Sequence, residues 1–306
     1  MPETLRSYLY ASAARPEVLA KACFAGADAV VFDLEDSVHA SRKDVARART
    51  REAVREFGGS PAPAARPQIH VRINHDQHGY SEPDLDAVVV DGLSALRLPR
   101  SVDPAEIEQV GRWLDQRDAR APSGEPVAIY PTVESAAGVA NVTRIAAAHP
   151  RVARIAFGVV DFLADIGVGS SAGGAAVTAA RGQLVLHSRA AGIGAPVDGV
   201  HTAIDDDTGL RASALRAWED GFSGKSVIHP HQLAVVHQVF SPSAAELVAA
   251  EQLLAASDMA AQRGEAALLL DGGFVDPAVT ARARALLDLA AAQSRGASPA
   301  DWAGGR

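Results

Sequence analysis

Ala29-Val30-Val31-Phe32-Asp33-Leu34, the segment Ser41–Phe57 and the run Gln68-Ile69-His70-Val71-Arg72-Ile73-Asn74 together decide the fold. The first and third are short, apolar, rich in β-branched residues and bounded by turn formers, the pattern of buried strands. The segment between them is rich in Arg and Glu, with Val45, Ala48 and Val54 recurring on one face. That predicts an exterior helix whose charges form a solvated surface. Strand, helix, strand is a βαβ unit and requires a parallel sheet.

The same alternation runs outward in both directions. Further strands are predicted at Arg6–Ala11, Ala95–Pro99, Val127–Val133, Arg154–Val160, Ala195–Val200 and Lys225–His229. The total of about eight is the number that closes a (β/α)8 barrel. Helix signals lie between them: in Asp103-Pro104-Ala105-Glu106 a capping carboxylate precedes Pro at the first helical position and Glu in the first turn, predicting a helix over Ala105–Gln116. Gly58–Pro67, with three prolines among small residues, reads as a loop. After His229-Pro230 the rhythm stops. Helices are predicted at Gln232–Phe240, Ala244–Arg263 and Pro277–Ala292, with an apolar patch at Ala266–Leu270. The fold class is therefore α/β, a TIM barrel over residues 1–240, with a C-terminal helical extension or lid over 241–293 and a frayed Gly/Ala/Ser-rich tail over 294–306.

The chain has 306 residues, of which 48% are hydrophobic and 22% charged, enough apolar content for a full core. A net charge of −8 lacks the basic field that phosphate backbones attract, which argues against a nucleic-acid partner. The single cysteine, Cys23, rules out an intrachain disulfide and a cysteine metal cluster, which fits a reducing compartment and a cytoplasmic location. Neither a targeting segment nor a membrane span is expected.

In a (β/α)8 barrel the reacting groups sit at the C-terminal strand ends. Asp33, Glu35 and Asp36 fall there on the second strand, Arg72 and Asn74 on the third, Arg100 after the fourth, Glu134 on the fifth and Asp161 on the sixth; Asp198 lies in the seventh. Glu134 and Asp161 are the metal candidates, because Mg2+ is held by one or two carboxylates completed by substrate oxygens and water. Arg72 suits a substrate carboxylate, which a guanidinium clamps bidentately. The competing reading makes these groups barrel-mouth salt bridges. The acidic cluster Asp33, Glu35, Asp36 needs a counter-charge, and holding an arginine or a metal-bound water satisfies that need. Gly169–Gly174 matches no phosphate-binding fingerprint and reads as a βα loop; His229 and His231 read as structural. Of the lysines Lys21, Lys43 and Lys225, only Lys225 is placed for Schiff-base chemistry, a metal-free rival.

Four strings in order carry a resemblance: Ala25-Gly26-Ala27-Asp28-Ala29-Val30-Val31-Phe32-Asp33-Leu34-Glu35-Asp36-Ser37-Val38, Val71-Arg72-Ile73-Asn74, Phe157-Gly158 leading to Asp161, and Gly221-Phe222-Ser223-Gly224-Lys225-Ser226-Val227-Ile228-His229-Pro230. The chain resembles the HpcH/HpaI aldolase and citrate lyase β-subunit superfamily, in its CitE-like acyl-CoA lyase branch, over about Leu5 to Leu287. The resemblance implies a trimeric or hexameric barrel that binds Mg2+ through Glu134 and Asp161 and orients a 2-oxo acid with Arg72. Its implied substrate contacts are Arg72, Glu35, Asp36, Gly158, Val159 and Val160, with Arg72, Asp36 and Asp276 as catalytic residues. Asp276, in Gly272-Gly273-Phe274-Val275-Asp276, matches an aspartate that reaches a neighbouring subunit's site as acid/base. Its other reading is a helix N-cap. Relatives commonly carry Pro-Gly where Ser12-Ala13 stands, an arginine near Ala137, an acidic residue at Val160 and a lysine at Arg100. The implied activity is a Mg2+-dependent carbon–carbon lyase that forms or cleaves a malyl-, citramalyl- or citryl-CoA-like thioester from a 2-oxo acid and an acyl-CoA. Its rivals are a class II aldolase on free hydroxy-oxo acids and a non-catalytic barrel.

Overall fold

The computed structural model describes residues 5–58, 67–169, 174–265, 267–270 and 272–296. Most of the predicted Gly58–Pro67 loop and the middle of Gly169–Gly174 lie outside them. The first half of the chain forms β1 (Ser7–Ser12), α1 (Pro16–Cys23), β2 (Ala29–Asp33), α2 (Lys43–Gly58), β3 (Gln68–Arg72), a small hairpin β4 (His75–Asp76) and β5 (Gly79–Tyr80), and α3 (Glu82–Val88). Next come β6 (Ala95–Leu98), α4 (Pro104–Gln116), β7 (Ala128–Val133), α5 (Ala136–Ala140), α6 (Val142–Ala146), β8 (Ala156–Phe157) and α7 (Val159–Asp165). The barrel ends with α8 (Ala175–Ala190), β9 (Val197–Asp198), α9 (Asp207–Asp220), β10 (Gly224–Val227) and α10 (Leu233–Val239).

Eight parallel strands close in the order β1-β10-β9-β8-β7-β6-β3-β2. All eight predicted strands are present, most of them shorter than read. The largest correction is at the sixth: Arg154–Val160 pairs only over Ala156–Phe157, because Val159 already starts α7. Helix α2 buries Ala46, Thr50, Ala53 and Val54, while Val45 and Ala48 face solvent, so the predicted face is turned by about one residue. Its charges are more than a solvated surface. Arg47 Nε donates to the buried Asp84 at 2.5 Å and Arg51 Nε to the Ala87 carbonyl at 2.8 Å, fastening α3.

Strand alternation divides the core. Leu9 and Ala11 of β1 turn outward into the apolar layer under the helices, whereas Tyr8 and Tyr10 turn into the barrel axis. The interior is unexpectedly polar. Arg97 is fully buried with its guanidinium carbon 4.4 Å from the ring centroids of both Tyr8 and Tyr130, and its Nε donates to His70 Nδ1 at 3.3 Å. Burial beside Arg97 holds the His70 imidazole neutral, well below the usual histidine range.

Outside the barrel wall, Asp198 accepts from Lys225 Nζ at 2.5 Å and Arg181 Nη2 at 2.7 Å. Lys225 also donates to Ser213 of α9. It therefore points into the layer between sheet and helices, which removes the Schiff-base alternative and takes Asp198 out of the mouth.

Leu5–Phe240 forms one compact unit, and the described residues between Ser241 and Gly296 belong to a second. It contains α11 (Ala244–Gln262), an antiparallel hairpin of β11 (Leu268–Leu270) and β12 (Gly273–Val275), and α12 (Pro277–Gly296). The hairpin is absent from the sequence reading, and α12 extends past the predicted end at Ala292. Among the described residues one stretch, Pro230–Gln262, is long and apolar enough to cross a membrane by length and composition, contrary to the expectation of no such run. It is divided, however: α10 stops at Val239, and a capping box between Ser243 and Glu246 starts α11.

Asp198→Asn leaves Lys225 and Arg181 facing each other with one carboxylate fewer, and is expected to destabilise the barrel by about 3–5 kcal/mol in urea unfolding. An unchanged midpoint would show that the buried pair contributes nothing.

Candidate active site

A cavity of about 310 Å3 opens at the C-terminal end of the barrel, lined among others by Tyr10, Asp33, Arg72, Thr132, Glu134, Gly158 and Asp161. Its first side is built by β2 and β3, where Asp33 and Arg72 are register partners. Arg72 Nε and Nη2 donate to the two Asp33 oxygens at 2.6 and 2.8 Å, and Nη1 lies 2.9 Å from Glu35 and 3.3 Å from Asp36. The acidic cluster thus has its counter-charge. Burial alone would raise Asp33, but the hydrogen bonds and charge of Arg72, joined by hydrogen bonds from Ser37 and the Glu35 amide, together outweigh it and hold the carboxyl below the usual range. Glu35 shows the opposite balance: burial, together with the neighbouring Asp36, Glu134 and Asp33, overcomes Arg72 and pushes it up to about 7.

The loop after β2 is tied down by Lys43, whose Nζ donates to the Leu34 and Glu35 carbonyls at 2.6 and 2.7 Å and to Asn74 Oδ1 at 2.6 Å. Asn74 donates in turn to Asp84 at 2.6 Å. It is a brace for the loop and no part of the cavity lining.

The opposite side comes from β7, β8 and α7. Glu134 follows β7 and accepts from the Arg100 backbone N–H through Oε1 at 2.6 Å. Arg100 adopts a left-handed φ of 50°, and this turn aims its amide at the carboxylate. The other oxygen, Oε2, hangs over Gly158: a Cβ at 158 would come within 2.5 Å of it. Asp161 sits in the first turn of α7 and lines the same cavity. Burial, reinforced by the Asp161 charge and relieved in part by the Arg100 bond, lifts Glu134 to about 7.

The structure therefore gathers Glu35, Asp36, Arg72, Glu134, Gly158, Val159, Val160 and Asp161 around one mouth. Among the described residues no group of three or more His, Cys, Asp and Glu side chains is disposed to hold a metal. Glu134 and Asp161 suit a hard divalent cation only with a ligand's oxygens or water completing the shell, and a cation there would relieve their mutual repulsion. Asp276 belongs to the second unit, where Oδ1 caps α12 by accepting from the Ala278 and Val279 amides at 2.9 and 3.0 Å. His229 and His231 are structural: the His229 ring accepts from the His231 amide, and His231 meets Asp207 at 3.3 Å. Tyr10, Thr132, Gly199 and Ser226 also line the cavity, in addition to the residues expected from the sequence. The period-2 alternation from Tyr8 to Tyr10 and from Thr132 to Glu134 was the signal available for the first two.

Residues 6–230 match the HpcH/HpaI aldolase/citrate lyase family. The chain belongs to that family. It is 38% identical over 288 residues to a citrate lyase subunit beta-like protein of Deinococcus radiodurans, covering 94% of this chain and 97% of that protein. It is 31% identical over 306 residues to an L-malyl-CoA/beta-methylmalyl-CoA lyase of Cereibacter sphaeroides, covering 92% and 93%. Among solved structures, CitE of Mycobacterium tuberculosis in complex with magnesium, acetoacetate and coenzyme A superimposes with a TM-score of 0.75 at 29% identity, covering 94% of this chain and 98% of that one. The family's barrel is thus present across residues 5–240.

Glu134 gives a pH prediction. Its folded value of about 7 lies above the ordinary 4.5, so its contribution to stability is fully present below that ordinary value and is lost as pH rises through the folded one. Glu134→Gln imitates the protonated form. In EDTA its stability relative to wild type should improve by on the order of 1 kcal/mol between about pH 5 and about pH 8. A pH-independent difference would contradict the raised value.

Proposed function

We propose that the protein is a Mg2+-dependent carbon–carbon lyase that cleaves or forms a 3-hydroxyacyl thioester, malyl-, citramalyl- or citryl-CoA-like, from a 2-oxo acid and an acyl-CoA. The observation that carries this is the cavity itself: two carboxylates that follow neighbouring strands, Glu134 just after β7 and Asp161 in α7 beyond β8, line the same mouth as a guanidinium locked in place by Asp33. The comparisons support the same reaction class.

Glu134 and Asp161 would hold the metal, with Gly158 leaving Glu134 Oε2 unobstructed. Bound there, Mg2+ supplies Lewis-acid polarisation of the 2-oxo acid's carbonyl. Arg72 orients the substrate carboxylate through Nη1 and the remaining Nη2 proton, since Nε and the other Nη2 proton are committed to Asp33. Glu35 and Asp36 place Arg72 Nη1 and border the substrate; Asp36, at the rim, exchanges its place on Nη1 with the incoming carboxylate. The segment Gly158-Val159-Val160 forms the adjoining wall. In the cleavage direction the carbon–carbon bond of the hydroxyacyl thioester breaks as its hydroxyl passes its proton to a carboxylate of the mouth. The electron pair passes to the acyl fragment as a thioester enolate, which a protonated acid converts to the acyl thioester. We assign that acid to Asp276 of a neighbouring copy in a cytoplasmic homotrimer or homohexamer.

The assay incubates the full chain with Mg2+, malyl- or citramalyl-CoA, and follows both the 2-oxo acid and free CoA. Release of the 2-oxo acid with acyl-CoA is expected, and EDTA should abolish it. Glu134→Ala or Asp161→Ala should lower kcat at least ~10^3-fold, about 4 kcal/mol of transition-state stabilisation. Free CoA without a 2-oxo acid would identify thioester hydrolysis instead, and turnover confined to unesterified hydroxy-oxo acids would identify the aldolase.

A further inference from the structure

The inner end of the cavity is furnished with polar groups that the proposed reaction does not use. Tyr10 lines it, and its hydroxyl has no hydrogen-bond partner among the described residues. Thr132 also lines it; its side chain is buried and Oγ1 is unpartnered. Arg97 lies fully buried within the barrel interior, with Nη1 and Nη2 both lacking acceptors and no carboxylate within ion-pair distance among the described residues.

The charges on the two arginines near Tyr10 differ in one respect. Arg72 stands 5.4 Å from the Tyr10 ring and is matched by Asp33, Glu35 and Asp36. Arg97 is matched only by aromatic faces and a neutral His70, yet it bears on Tyr10 directly: both arginines oppose the rise that burial imposes on the phenol. A buried polar atom left unpaired costs about 1–3 kcal/mol, more for a charged group. Arg97 stacks on Tyr8 and Tyr130, each two residues before Tyr10 and Thr132 on the same strand face, and a cation in that layer favours hydroxyl oxygens turned toward it and their protons turned into the cavity. The inner end thus offers donors and positive potential, and asks for an acceptor.

We propose that Tyr10 and Thr132, backed by Arg97, form a specificity subsite that receives an oxygen-bearing side group of the 2-oxo acid, a carboxylate or a hydroxyl, in preference to hydrogen or methyl. This rests on the lyase reading and deepens it. Tyr10 and Thr132 touch the substrate; Arg97 acts through them as a positioning residue.

The test is calorimetric titration of the full chain in Mg2+ with oxaloacetate, hydroxypyruvate and pyruvate, using wild type, Tyr10→Phe/Thr132→Val and Arg97→Met. At least tenfold tighter binding of either oxygen-bearing acid than of pyruvate is expected, with the ratio falling below about threefold in the double variant. An indiscriminate wild type, or a preference that survives the double variant, overturns the subsite while leaving the lyase reading intact. Failure of all three acids to bind wild type overturns that reading and the subsite with it. Arg97→Met should reduce the ratio for oxaloacetate more than for hydroxypyruvate, a split that loss of packing alone would not produce. If Arg97→Met does not fold, the double variant decides the matter.

Discussion

The two-pronged contact between Arg72 and Asp33 is the constraint on which the mouth depends. Three carboxylates within four residues repel one another, and that arrangement is tolerable because a permanent cation faces all of them, with Arg100 reaching Glu35 and Asp36 from the rim. The cation is held by its register partner on the adjacent strand, so its position is set by the sheet and does not depend on loop conformation. Once Arg72 is fixed, Glu35 and Asp36 have a place. Lys43 then fastens the carbonyls between them and the strand, and the opposite wall can present Glu134 and Asp161 across a defined gap.

The rhythm of the fold was legible because barrel strands buried on both faces read as short apolar runs, and each run found here was also visible in the sequence. What the pattern hid was direction. Asp198 and Asp161 look alike as acids near strand ends, yet one faces the helices with Lys225 and Arg181 while the other lines the mouth. In strands of two paired residues, alternation has too little length to assign a face.

Two other misses have specific causes. The hairpin of β11 and β12 was announced by Asp271-Gly272, a dipeptide that suits a tight turn, but three leucines on one side and a glycine on the other disguised the strands. The polar interior around Arg97 escaped because a cation in a strand is normally read as facing water, and nothing in the sequence showed Tyr8 and Tyr130 converging on it. Tyr10 and Thr132 followed it into obscurity, since each looks like an ordinary β former.

The stave pairings are also uneven. β1 and β2 share five register pairs, whereas β8 and β9 share one, Ala156 with Val197. A wall stitched so thinly at one seam breathes there first, because few ladder hydrogen bonds must break to part it. Helix α7 begins directly beyond β8, so the compliance of that seam is delivered to Asp161 while Arg72, on the densely laced side, stays still. The barrel therefore sets its guanidinium on a densely laced side and its second carboxylate beside the thinnest seam.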